Sequence, residues 1–367
     1  MKVLIINSVC GTGSTGRICT DLAQEFEKNG DEVKIAYGRS SYVPEKFQKY
    51  AVRIGSPLGV RINAFKSRLF DNEGLNAKRA TKAFLKWVEA YNPDLIWLHN
   101  LHGYYLNYEL LFRWIKSRPN LEVKWTLHDC WAFTGHCAYF SYAKCDKWQT
   151  GCGACQQKSG YPKRILKDHS KTNYERKKKS FLGVKNMTLI TPSEWLKGLV
   201  QHSFFSDYPI EVRYNKVDPS VFKPTESGVK KELGLTDKKI ILGVAGVWDE
   251  RKGLSDFIAL SKMLDDRYAI LLVGVTERQI KTLPKNVIGI TRTENVTKLA
   301  EIYTAADVFL NLTYEDNYPT VNLEAQSCGT PCITYRTGGS VESVPESNVV
   351  EQGDLMAVKA KIEELIE

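Results

Sequence analysis

Two side-chain chemistries adjoin in the stretch TLHDCWAFTGHCAYFSYAKCDKWQTGCGACQ, residues 126–156. The first is thiol chemistry. Five of the nine cysteines lie here, four of them as Cys137-x7-Cys145-x6-Cys152-x2-Cys155. Four thiolates suit a closed tetrahedral zinc site, which stabilises such a segment by roughly 10 kcal/mol or more. A closed ligand set leaves no position for substrate. The expectation is therefore a structural zinc on Cys137, Cys145, Cys152 and Cys155, with His136 or Cys130 able to replace one ligand. The plainer alternatives are thiols without a metal, or disulfides in an oxidising compartment. The second chemistry is imidazole. His128, followed by Asp129, closes a predicted strand at the edge where ligands bind, and its titration near neutrality leaves either protonation state available. A lone histidine is more often a hydrogen-bonded structural group.

Other groups gather at predicted strand ends. His99, Asn100, His102, Tyr104, Tyr105 and Asn107 follow one strand, and aromatic and amide groups of this kind suit the face of a sugar. Ordinary loop packing is the rival reading. Gly11-Thr-Gly13-Ser-Thr-Gly16 follows the first strand and opens a helix, an arrangement that favours an anion. It could serve a dinucleotide. The ribose-binding acid expected roughly twenty residues on is missing, although Arg39 would suit the 2′-phosphate of NADP.

The second half carries a basic pair, Arg251-Lys252-Gly253, after a strand. Charge-assisted bonds from such a pair to phosphate contribute roughly 1.5–3 kcal/mol each. Farther on, Glu315-Asp316-Asn317-Tyr318-Pro319-Thr320 leads into a predicted helix. The free N–H groups at its start would favour phosphate. Glu324 lies about one turn inside, where a carboxylate can accept two ribose hydroxyls. A solvent-facing helix acid is the default for a single glutamate.

These groups need elements to hold them. Apolar runs at Val3–Asn7, Glu32–Tyr37, Leu95–His99, Val123–Leu127 and Thr188–Thr191 alternate with amphipathic segments at Thr15–Asn29, Ala77–Tyr91, Tyr108–Ser117 and Pro162–Ser180. The pattern restarts with strands at Lys239–Gly246, Tyr268–Gly274, Val287–Ile290, Val308–Leu312 and Cys332–Tyr335. Helices are predicted between and after them at 254–264, 296–305, 321–327 and 354–366. Such alternation predicts parallel sheets covered by helices. The fold expected is α/β, two Rossmann-like doubly wound domains facing a cleft, with residues 1–207 forming the first domain and residues 208–367 the second. The Cys-rich loop at 130–156 belongs to the first. A length of 367 residues suits two cores rather than one.

No apolar run reaches a membrane span, and the amino terminus reads as a buried strand rather than a signal peptide. A cytoplasmic protein with reduced cysteines is expected. Of the net charge of +9, most falls between Lys158 and Lys185, where ten Lys or Arg face Asp168 and Glu175. The stretch reads as a solvated face, or as a peripheral contact with anionic lipid through residues 158–185. Its aromatic residues, Tyr161, Tyr174 and Phe181, do not punctuate it in a stacking pattern, so nucleic acid is not expected as a partner.

The stretches GTGSTGR, HNLHGYYLN (99–107), TLHDCWAFTGHC (126–137), TPSEWL (191–196), YNKVDPSVF (214–222), WDERKG (248–253) and YEDNYPTVNLEAQSCGTP (314–331) together resemble glycosyltransferase family 4. The likeness spans the full length. It implies the two-domain GT-B fold and a retaining transfer of sugar from a nucleotide-diphosphate donor without a catalytic metal. By this resemblance Arg251 and Lys252 hold the diphosphate and Glu324 the ribose. Glu315, Asp316, Asn317 and the backbone through Tyr318, Pro319 and Thr320 face the donor, as does Gly13. His128 lies beside the donor sugar, and His99, Asn100, His102 and Tyr105 lie on the acceptor side. The acceptor would be a glycan or lipid-linked glycan of a bacterial surface polysaccharide. Glu315 stands one residue farther from Glu324 than the family's E-x7-E, whereas Asp316 has that spacing. Rival readings are a nucleotide-sugar epimerase of the same fold, an NADP-dependent oxidoreductase and a non-catalytic zinc-bearing interaction protein.

Overall fold

The computed structural model describes residues 1–366. The chain divides into two compact units, Met1–Tyr214 and the chain from Asn215 onward.

The first unit is built on seven parallel strands: β1 (Lys2–Ile6), β2 (Glu32–Tyr37), β3 (Ala51–Arg53), β4 (Leu95–Leu98), β5 (Glu122–Thr126), β6 (Met187–Thr191) and β7 (Ile210–Val212). Their order is β3-β2-β1-β4-β5-β6-β7. Helices α1 (Gly13–Lys28), α2 (Pro57–Phe70), α3 (Lys78–Tyr91), α4 (Tyr108–Lys116), α5 (Ser170–Phe181) and α6 (Glu194–Gln201) connect them. Val3, Leu4, Ile5 and Ile6 have no exposed surface, as expected for a central parallel strand covered on both faces. The strand order reverses between β1 and β4, which opens a crevice at their carboxyl ends, the usual ligand position in such sheets.

The second unit repeats the plan with β8 (Lys239–Val244), β9 (Tyr268–Val273), β10 (Val287–Ile290), β11 (Val308–Asn311), β12 (Cys332–Tyr335) and β13 (Val349–Val350), in the order β10-β9-β8-β11-β12-β13, all parallel. Its helices are α7 (Val229–Glu232), α8 (Leu254–Ser261), α9 (Glu277–Ile280), α10 (Val296–Ala305), α11 (Thr320–Ser327) and α12 (Leu355–Ile366). Here the order reverses between β8 and β11.

Three features depart from expectation. The units divide at Tyr214 rather than at residue 207, because Ile210–Val212 pairs with Leu189–Thr191 and keeps the chain in the first sheet. The helix expected from Pro162 starts at Ser170. The chain before it runs beside the end of α2, the Ile165 N–H donating to Arg68 O at 2.7 Å. Edge strands β3, β7 and β13 and helices α2, α6, α7 and α9 were not predicted. Among the described residues, no helix is long and apolar enough to cross a membrane.

Candidate active site

In the first unit the crevice is floored by groups that fix the chain after β4. The His99 N–H donates to Ile6 O at 2.9 Å, Trp125 Nε1 donates to His99 O at 3.0 Å, and the Asn100 N–H donates to Asn7 Oδ1 at 3.3 Å. The chain then turns sharply. Gly103 has φ +118°, and a Cβ there would lie 2.7 Å from Arg39 Cδ. Tyr104 takes φ +70°, a costly conformation for a residue with a side chain. Glu73 holds both, its Oε1 accepting from the N–H groups of Gly103 at 2.6 Å and Tyr104 at 2.9 Å.

This turn and the end of β5 bring four titratable groups together. His99 Nδ1 lies 2.9 Å from His128 Nε2. His102 Nε2 lies 2.9 Å from Asp129 Oδ2, and His102 Nδ1 lies 2.9 Å from the Tyr161 hydroxyl. With the carboxylate accepting from Nε2–H, neutral His102 accepts the Tyr161 O–H at Nδ1. Burial pushes His128 down to about 4, with Asp129 opposing and His102 reinforcing. Burial raises Asp129, but His102 and the Trp131 N–H outweigh it and hold the carboxyl below its usual range. A small recess lined by His99, Asn100, His102, His128, Asp129 and Trp131 results. It presents neutral imidazole, amide and carboxylate, a set able to bind hydroxyl groups.

Not every residue expected on the acceptor side faces this recess. Tyr105 is 1 % exposed, is absent from the lining and packs so closely that a Cβ on Gly38 would meet its Cβ at 2.1 Å. Its hydroxyl donates to Asn100 O at 2.9 Å, so it supports the site from beneath. Gly13 opens α1 at φ +66° with open space where a side chain would stand. The glycine loop is tied to the end of β2, the Cys10 N–H donating to Ser40 Oγ at 3.1 Å.

Within the Cys-rich loop, where the spacing led us to expect a four-thiolate site, Cys137 and Cys155 make side-chain contact. Among the described residues no three His, Cys, Asp or Glu side chains group as metal ligands, and all nine cysteines are free thiols. Other interactions hold the loop. Cys152 Sγ accepts from the Gly135 N–H at 3.1 Å, and Trp148 packs on Phe140 and Phe133 at 4.8 and 5.4 Å between ring centroids. Lys177, buried beneath, donates to Trp131 O at 2.6 Å and Thr134 O at 3.0 Å and lies over the Trp131 ring. The basic stretch at 158–185 is thus no uniform solvated face. Lys177 and Arg164 are interior, and Arg176 pairs with Glu109 at 2.8 Å.

In the second unit the basic pair lies after β8 and the Glu315–Thr320 loop after β11, the two strands that flank the reversal. Gly253, at φ +72°, ends the short turn carrying Arg251 and Lys252, and a Cβ there would lie 2.1 Å from Leu312 O. That contact brings the two loops together. Arg251 NH1 donates to Glu315 O at 2.7 Å, and the Tyr314 N–H donates to Arg251 O at 2.8 Å. Lys252 Nζ lies 2.5 Å from Asp316 Oδ2. Burial raises Asp316, but Lys252 and then Arg251 outweigh it and hold the carboxylate below its usual range.

Helix α11 starts at Thr320 after Pro319, with no side chain capping it and no acid in its first turn. Its inner face is anchored by Asn322, whose Oδ1 accepts from Asn311 at 2.8 Å and whose Nδ2 donates to Ser343 Oγ at 2.9 Å. Asn215 Nδ2 donates to Tyr318 O at 2.9 Å. Of the expected acids, Asp316 is partly exposed, whereas Glu315 is fully buried. Glu324 is 2 % exposed and accepts the Tyr303 hydroxyl at 3.0 Å. It therefore does not show the solvent-facing position of an ordinary helix acid.

Residues 227–367 match the model of the family described as glycosyl transferases group 1. The match to that family lies within the second unit. Over 95 % of its length and 86 % of the relative's, the chain is 22 % identical to an Escherichia coli K12 protein named for colanic acid biosynthesis, the glycosyl transferase WcaC. Sucrose-phosphate synthase of Thermosynechococcus elongatus superposes on this chain with a TM-score of 0.72 at 17 % identity, over 99 % of this chain and 89 % of that one. Anabaena HepE, solved with UDP-glucose, superposes with a TM-score of 0.62 at 15 % identity, over 100 % of this chain and 90 % of its own. These likenesses show an α/β chain of the GT-B fold.

Sequence reasoning did not single out Glu73, Tyr161 or Tyr303. Each acts on a partner at least 21 residues away, and nothing local in the sequence marks it.

Proposed function

We propose that this transferase moves a sugar from a nucleotide-diphosphate donor to a glycan acceptor, with retention of anomeric configuration. The observation that carries the reading is the pairing of Lys252 with Asp316 and of Arg251 with Glu315 O, in the loop that leads into the uncapped start of α11. Two fixed cations and a helix amino terminus concentrate positive potential at one point, which suits a diphosphate and the charge that grows on it as the glycosidic bond breaks. Asp316 orients the Lys252 ammonium before substrate arrives. Glu324, oriented by Tyr303, takes the ribose hydroxyls. In the first unit, His128 and the recess beside it take sugar hydroxyls, with Asn100 and His102 on the acceptor side.

The acceptor we infer is a growing or lipid-linked glycan of a surface polysaccharide. The WcaC likeness supports this choice, and the UDP-glucose complex of HepE supports a nucleotide-sugar donor. Nine free thiols suit a reducing compartment, so we place the reaction in the cytoplasm. A thermal-shift screen against UDP- and GDP-sugars tests the reading, because a ligand of the native state raises the unfolding midpoint. At least one nucleotide sugar should raise it, and Lys252→Ala should abolish the rise. No response to any of them would overturn the proposal.

A further inference from the structure

Helix α2 turns its largest apolar side chains outward. Its inward side carries polar groups beside Val60, which packs against the core. Asn63 Nδ2 donates to Tyr104 O at 3.0 Å, and Ser67, the one buried residue of the helix, accepts from Asn76 Nδ2 at 3.0 Å. Its outward side carries Leu58, Ile62 and Phe65, exposed by 65, 46 and 61 %. At about 100° per residue these three lie within about 60° of one another, on the side opposite Asn63 and Ser67.

The charges around this stripe have one sign. Arg61 and Arg68 flank it on one side and Lys66 on the other, all exposed. No acid occurs in the helix, and Asp71 and Glu73, which follow it, are buried. The segment tied to the last turn of α2 extends the pattern. Ile165 and Leu166 are 60 and 66 % exposed, beside exposed Lys163 and Lys167. The nearest exposed acid, Asp168, accepts the Cys155 and Ser170 N–H groups at 2.7 and 3.0 Å.

We propose that α2 and residues 163–167 form a docking surface for an anionic lipid bilayer, with the apolar stripe sunk into the headgroup boundary. Charge complementarity selects this occupant. Lysine is depleted in protein–protein interfaces, whereas Lys and Arg flanking an apolar stripe extend their heads to lipid phosphates while their stems stay apolar. Each cation near an anionic surface contributes about a fivefold gain in partition. The inference goes beyond the transfer reaction and relocates the expected lipid contact from the whole 158–185 stretch to its beginning and to α2.

Co-sedimentation of the full chain with vesicles tests this. Vesicles of equimolar phosphatidylcholine and phosphatidylglycerol should bind it, phosphatidylcholine alone should bind it far less, and salt should weaken the binding. Ile62→Asp with Phe65→Asp should lower partition at least about tenfold, the scale of withdrawing an apolar side chain of this size from lipid. Both side chains are exposed, so the unfolding midpoint and the response to nucleotide sugars should be retained. Arg61→Glu with Lys66→Glu should remove the preference for the anionic vesicles. Failure of the wild-type chain to bind anionic vesicles, or undiminished binding by Ile62→Asp/Phe65→Asp, would overturn the proposal. So would a wild-type dimer, broken by the same pair, that ignores vesicles, since a second copy would then cover the stripe. Loss of nucleotide-sugar binding with vesicle binding intact would count against the donor reading alone.

Discussion

His99 and His128 share a single hydrogen bond between near-coplanar rings, Nδ1 of His99 lying 2.9 Å from Nε2 of His128 with the ring centroids 5.1 Å apart and the planes 17° from parallel. Only one proton fits between these nitrogens. His99 Nε2 is buried without a partner, so the arrangement that strands no buried donor puts the shared proton on His99 Nδ1. His128 then accepts at Nε2 and carries its own proton on Nδ1. His99 is a positioning residue in this arrangement. Replacing it by phenylalanine should lower kcat by about tenfold to a hundredfold with a smaller change in KM. His128→Ala should cost about a hundredfold or more, the scale of losing one oriented donor. Steady-state kinetics with the responsive nucleotide sugar would check both.

The same pair makes stability depend on pH. His128 titrates at about 4 in the folded chain against 6.5 ordinarily, and burial, then His128, then Arg213 hold His99 well below its usual value. As pH falls below 6.5 the unfolded chain takes up these protons first. The stabilising contribution is therefore full above pH 6.5 and is lost as pH falls toward 4, by up to about 3 kcal/mol for His128. Urea unfolding at pH 7 and pH 4.5 should show this loss, and His128→Asn should reduce it.

Lys252 should matter to the reaction more than to the fold. Its pair with Asp316 is partly exposed, so Lys252→Ala should change stability by no more than about 1 kcal/mol. If the ammonium stabilises charge leaving with the diphosphate, turnover should fall by about a hundred- to a thousandfold. Parallel measurement of kcat and the urea midpoint separates the two effects.

Gly253→Ala should damage the second unit through its backbone. A Cβ would lie 2.1 Å from Leu312 O, at a φ that L-residues resist. Strain and overpacking together should cost about 3 kcal/mol, read as a lower unfolding midpoint. Turnover should fall as well, because the turn that carries Arg251 and Lys252 must move.

Lys177→Met should be destabilising despite the gain in apolar character. Burial pushes the Lys177 amine down to about 7, yet the amine satisfies the carbonyls of Trp131 and Thr134. Methionine leaves both unpaired, at about 1–3 kcal/mol each. Limited proteolysis should then cut within the Cys-rich loop, which Lys177 secures from below.

The central strands were legible in the sequence because burial on both faces demands unbroken apolar runs, as in Val3–Ile6 and Tyr268–Val273. Their carboxyl ends located His99, His128 and Lys252. Edge strands β3 and β7 were not legible, since three residues with a single sheet neighbour need no apolar run. Helix α2 escaped for a different reason. Its apolar stripe faces outward, so the periodicity that marks a helix there says nothing about a core. The cysteine spacing pointed to zinc, whereas aromatic packing and a buried lysine organise the loop.

By itself, then, the sequence determined the α/β alternation, the split into two units and the strand ends where ionisable groups collect. Those features follow from local periodicity and from residue types with strong positional preferences. Tertiary structure alone decided that His99 meets His128 across 29 residues, that Asp316 rather than Glu315 reaches Lys252, that Lys177 lies inside and that α2 turns its leucine, isoleucine and phenylalanine outward. Hydrogen bonds and ion pairs between distant residues depend on the register of sheets and the closure of loops, and no local pattern in the chain encodes either.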